Sequence, residues 1–143
     1  MATPAEHCAA ILIAETIGAA SGDTWPIKIG RFVDKPDAQI NLVDTPGRNP
    51  NPAYLLDFPT VMARVRDPKD DYATGYAKAK AVKDVLLGCP AQTMVGGDRI
   101  DGITMLSDLS LFGWDENSRP LFSINFQLYF EPATNANTNR VPL

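Results

Sequence analysis

Residues 121–130, LFSINFQLYF, place Phe122, Ile124, Phe126, Leu128 and Phe130 on one parity and Ser123, Asn125, Gln127 and Tyr129 on the other. In an extended chain successive side chains point to opposite faces, so this segment is a strand with an apolar and a polar side. The apolar parity, Phe126 at its centre, must enter a core, and the polar one meets water or another polar surface. Such strands belong to antiparallel sheets covered on one side. The polar parity carries amides and hydroxyls only, with no His and no paired acid, so the best-defined element is architectural.

The chain has 143 residues. That suits one domain able to bury about 70% of its unfolded surface without staples. Cys8 and Cys89 lack metal-ligand or CxxC spacing, and are expected to be ordinary thiols in a reducing compartment. A net charge of −4 and a pI near 4.8 argue against sequence-specific nucleic-acid binding, which needs a basic surface to displace counterions. No apolar run reaches the roughly 18 residues of a membrane span. The N-terminal stretch has no basic leader and is interrupted by Glu6 and Glu15, which suggests a mature cytosolic start.

Thr3-Pro4-Ala5-Glu6 has the form of a capping box with Pro at the first helical position, and predicts a helix over residues 4–20 closed by Gly22. Residues 25–33 and 39–43 suggest a hairpin across the turn-forming Asp34-Lys35-Pro36-Asp37. Four prolines, Pro46, Pro50, Pro52 and Pro59, then predict a long irregular excursion. It carries the apolar residues Tyr54, Leu55 and Leu56, candidates for a lid on the core or for contact with a partner. Residues 60–66 alternate again as a third strand. Asp70 and Asp71 open a helix over residues 70–87, with Tyr72, Tyr76, Ala79, Val82 and Leu86 facing the sheet. GGDRIDG, residues 96–102, has the composition of a turn. A fourth strand over residues 103–112, with Ile103, Met105, Leu109 and Leu111 in phase, forms a second hairpin with residues 121–130. The pattern predicts an α+β fold, with a mainly antiparallel sheet of four to five strands and two helices packed on it. Residues 1–131 make one domain. Residues 132–143 form a polar tail that needs a partner to order it.

Chemistry is sparse. His7 is the sole histidine and is expected to be an exposed or capping residue, not the base of a nucleophile. Asp67, Asp70, Asp71, Asp98 and Asp101 could share a divalent ion, but capping and turn roles already account for them. Asp44-Thr45-Pro46-Gly47 resembles a phosphate-switch motif without the preceding GxxxxGK[ST] loop, and is taken as a turn. Arg64 and Arg66 share a strand face, roughly 7 Å apart, able to meet phosphates or acidic groups or simply to face solvent. Trp114 is an apolar anchor of the kind interfaces favour, or a folded-back turn residue. These residues suggest no catalytic, metal or cofactor site. The candidate interface is Tyr54, Leu55, Leu56, Trp114, Arg64 and Arg66.

A strand pair leading to NLVDTPGRNPNP is followed by FPTVMARVRDPKDDYATGYAKAKAVKDVL and then by DGITMLSDLSLFGWDENSRPLFSINFQLYFEP. This succession resembles the tail terminator, or tail completion, proteins of long-tailed bacteriophages, often labelled minor capsid proteins. The resemblance implies a virion protein that closes into a ring, usually hexameric, on the tail tube and later meets the head connector, leaving room for DNA to pass. It transfers no functional residue. A head-closure or adaptor protein of the neck is the nearest alternative. A small-ligand protein or enzyme, with a pocket between the second helix and the sheet, is the alternative from another class.

Overall fold

A computed structural model of the chain describes residues 2–134 and 138–142, so the expected C-terminal tail lies partly outside the described residues. The fold is α+β. Its helices are α1 (Pro4–Ala14) and α2 (Tyr72–Leu87), and its strands are β1 (Ile27–Ile29), β2 (Gln39–Arg48), β3 (Phe58–Arg66), β4 (Thr93–Val95), β5 (Asp98–Trp114) and β6 (Pro120–Glu131). They form one six-stranded sheet in the order β1-β2-β3-β6-β5-β4. Every neighbouring pair is antiparallel except β1 and β2.

The alternation in residues 121–130 decides where the core lies. Phe122, Ile124, Phe126 and Leu128 are buried together with Val61, Ala63 and Val65 of β3 and Ile40 and Leu42 of β2. Both helices cover that same face, α1 through Ala5, Cys8 and Leu12, and α2 through Ala79, Val82 and Leu86. On the other parity Asn125 donates to Ser107 Oγ at 2.7 Å, so a neighbouring polar strand meets it.

Five sequence expectations need correction. Helix α1 starts as its capping residues require, with Thr3 Oγ1 accepting from the Glu6 amide at 3.2 Å, but it stops at Ala14 instead of near residue 20. There Thr16 takes a left-handed backbone, φ 57°. The Ile17 amide reaches Leu12 O at 2.9 Å and the Thr16 amide reaches Ile13 O at 3.0 Å. Those two bonds are the Schellman closure, made with a β-branched residue where Gly is usual. Ile17 packs on the core beyond it, and that apolar contact holds the closure in place.

The expected first hairpin is instead a parallel pair, Ile27–Ile29 registering with Ile40–Leu42. With β1 only three residues long, residues 30–38 suffice to carry the chain back beside its own start. The sheet has six strands among the described residues rather than four to five, because the short β4, Thr93–Val95, adds itself beside β5. Asp44-Thr45-Pro46-Gly47 is not a turn: β2 runs through it to Arg48, with an irregularity between Thr45 and Arg48. A bulge is where a strand tolerates Pro, and a Cβ on Gly47 would lie 2.0 Å from Phe58 O. Finally, β5 begins at Asp98, so the GGDRIDG turn shrinks to Gly96 and Gly97, both at positive φ.

Candidate interaction surface

The titratable residues are largely engaged in holding the fold. His7 is buried, not exposed, and its Nε2 lies 2.7 Å from Asp98 Oδ2. The other Asp98 oxygen accepts from the Ala133 amide at 2.7 Å, so the pair joins α1, the start of β5 and the chain leaving β6. Cys8 is buried, and Cys8 and Cys89 are both free. Burial, reinforced by Cys89 and Asp44, pushes the Cys8 thiol up to about 12, which keeps it protonated and unreactive.

The aspartates also divide among structural tasks. Asp71 caps α2, Asp98 faces His7, and Asp101 pairs with Arg99 at 3.0 Å. Among the described residues no three such side chains gather where an ion could be held. Asp67 is buried beneath the first turns of α2, with Oδ2 lacking a hydrogen-bond partner. Burial first, and then the neighbouring Asp71 charge, push its carboxyl up to about 7.

The six candidate interface residues fall into three unlike places. Arg64 and Arg66 face inward to the connection between β1 and β2. Arg66, only 3% exposed, donates from Nε to Asp37 O at 2.9 Å and from Nη2 to Val33 O, Asp34 O and Pro36 O at 2.7 to 3.1 Å. Arg64 donates to Asn41 Oδ1 and Gly30 O, and both guanidiniums stack over Phe32. Arg119, which the sequence did not single out, completes the clamp through Asp34 O, Asp37 and Asp115. Two buried guanidiniums thus satisfy carbonyls that a nine-residue connection cannot satisfy by itself.

In the second place, Leu55 is buried, Leu56 half-buried and Tyr54 exposed. The C-terminal stretch, expected to be ordered by a partner, has contacts here to its own domain. The Leu55 amide donates to Val141 O and the Val141 amide to Ala53 O, each at 2.9 Å. Arg140 adds bonds to Tyr54 O and Asp57.

The third place is the outer part of β5. Strand β4 pairs only with residues 98–100 of it. From Asp101 to Trp114, β6 is its one strand neighbour among the described residues. Leu106 and Phe112 are each 59% exposed, Trp114 49% and Leu111 41%. Register shifts along β5 take Leu111 out of the phase expected for it. Tyr72 and Tyr76, expected to face the sheet, touch Phe122 edge-on but are each 45% exposed. Tyr72 also stacks with Tyr76 and lies 6.5 Å from Trp114. Monomeric proteins guard long edges with Lys, Pro or a covering element; between Asp101 and Ser118 there is no Lys, Arg or Pro. That gap was the sequence signal for this surface.

A cavity of about 540 Å³ opens between α1, the end of α2 and β4, lined by Ile11, Val85, Cys89, Pro90, Met94 and Val95. It is not the pocket expected between the tyrosine side of α2 and the sheet, where Phe122 packs against both rings.

The buried titratable side chains His7, Arg66, Asp98 and Arg119 are thus held in contacts within the fold, beside an exposed apolar strand edge. The chain belongs to the bacteriophage tail terminator protein family, whose model matches residues 11–132. Membership makes it a component of the phage tail. No curated protein matches the chain.

Proposed function

We propose that this protein is a non-catalytic ring, of six copies as the family resemblance suggests, that caps the tail tube at the neck and stops its growth. The finished ring then offers the head connector a surface for joining and lets DNA pass. It assembles in the host cytoplasm. The observation that carries this reading is the exposed apolar stretch of β5, without a strand neighbour beyond residue 100 among the described residues and next to the tyrosines of α2, in a member of the tail terminator family. A subunit that ends a stack needs lateral contacts that close on themselves and an end that refuses another layer.

The test combines native mass measurement of the purified protein with electron microscopy of phage particles made with and without it. The reading requires a closed oligomer, and tails of abnormal length that fail to join heads when the protein is missing. Tails of normal length joined to heads in its absence overturn it.

A further inference from the structure

We infer that the outer edge of β5 in one copy docks on the β1 edge of a second copy, so that the two ends of the sheet form the lateral contact of the ring. This rests on the ring reading above and specifies which surfaces make it.

The first argument is area. Phe112, Trp114, Tyr72 and Tyr76 are each about half exposed. With aromatic side chains able to bury roughly 150–250 Å² apiece, these four leave roughly 300–500 Å² uncovered. Leu106 and Leu111 add to that. A stable contact buries roughly 800 Å² per partner, so this strand and the adjoining turns of α2 supply much of one side. The second argument is backbone. Beyond residue 100 the outward amides and carbonyls of β5 have no strand neighbour among the described residues, which makes a template for another chain.

The receiving surface follows from position and charge. β1 and β5 lie toward opposite margins of the same sheet, so pairing them joins unlike surfaces, and such a contact passes from copy to copy until rotation closes it. At the β1 margin the Ile27 amide already donates to Ala19 O at 2.9 Å, and the surface beyond it exposes Ile29 and Val33. Its cations Lys28 and Arg31 have no carboxylate partner among the described residues. Residues 101–118 hold Asp101, Asp108, Asp115 and Glu116 and no cation. Three of these acids already meet Arg99, Lys83 and Arg119, and Glu116 is left over. Apolar area therefore holds the contact, with Glu116 of one copy and Lys28 or Arg31 of the other the charges left to add to it.

Two variants test the pairing, each placing a charge on an exposed residue: Phe112→Glu on the β5 edge and Ile29→Glu on the β1 edge. Folding is checked by thermal melting. Each variant alone should lose the ring, with association weakened about 30-fold or more. Mixed, they should form a one-to-one dimer and nothing larger, because the mixture retains one intact pairing. As a second readout, Ser110→Cys with Ile29→Cys in a Cys89→Ser background should oxidise to a ladder of covalent multimers. A wild-type ring that survives both variants and gives no ladder overturns the edge pairing and leaves the ring standing. A wild-type protein that is monomeric at its highest soluble concentration, with no ladder, overturns both.

Discussion

The two ends of the sheet solve the same problem in opposite ways. Around β1, β2 and β3 the chain is irregular, yet Arg66 and Arg119 tie the connection down through its carbonyls and Asp37. Around β5 the chain is one long strand, its pairing with β6 broken by register shifts, and residues 101–114 have no strand neighbour on the outer side among the described residues. Strand length and completeness are therefore separate properties here. The short-stranded end is finished within the subunit, while the long-stranded end has apolar surface and backbone groups to spare.

Substitutions at graded positions probe that contrast. Phe126 lies in the strand shared by both ends and is fully buried, so Phe126→Asp should cost about 4 kcal/mol or more and leave little folded protein. Denaturant unfolding measures it, and unchanged melting would reverse the assigned faces of β6. Arg66→Met removes the buried guanidinium from carbonyls at the finished end. Its expected cost is about 3 kcal/mol, with proteolysis moving to residues 30–38. His7→Ala leaves Asp98 buried with one partner fewer and should cost about 2 kcal/mol, seen as a lower melting temperature.

A smaller effect is set by pH. Asp67 has its carboxyl raised to about 7 in the folded state from the ordinary aspartate value of 3.8, so between those values the folded chain holds a proton the unfolded chain has lost. Its contribution to stability is present at the acid end, falls as pH rises through that window, and is constant above it. Asp67→Asn should flatten this slope and stabilise the protein by about 1 kcal/mol at pH 8, measured by melting from pH 4 to 8. The smallest effect on stability is expected at the unfinished end. Phe112→Ser should change isolated-domain stability by less than about 0.5 kcal/mol while weakening self-association. Equal losses in both would mean that Phe112 belongs to the core.

Legibility in the sequence followed the range of the forces involved. The Thr3-Pro4 start of α1, the Asp71 start of α2, the faces of β6 and the closing hairpin rest on neighbours a few residues apart, and the sequence alone showed them. The end of α1 depended on Ile17 finding the core. Pro46 and Gly47 looked like a turn because their bulge exists only against Phe58 of the opposing strand. Arg64 and Arg66 looked like a solvated pair because the carbonyls they bind lie about thirty residues away. Of the candidate surface on β5 and α2, the sequence points to an interface role only for Trp114. Tyr72 and Tyr76 fitted the helix stripe, and nothing local revealed that Phe122 would meet only their edges.

The position of β6 has a temporal consequence. It sits between β3 and β5, yet among the six strands described it is synthesised last, about sixty residues after the β3 partner with which it pairs. A nascent chain can therefore hold β1, β2 and β3 together while lacking the strand that bridges them to β5. Closing so long a loop is slow compared with forming the β5–β6 hairpin. Joining the two halves of the sheet is thus the expected late step of folding, and until it occurs the opposite edges are not set at fixed positions in one rigid body. Truncated or stalled chains ending before residue 120 would then lack the two fixed edges that the proposed contact between copies requires.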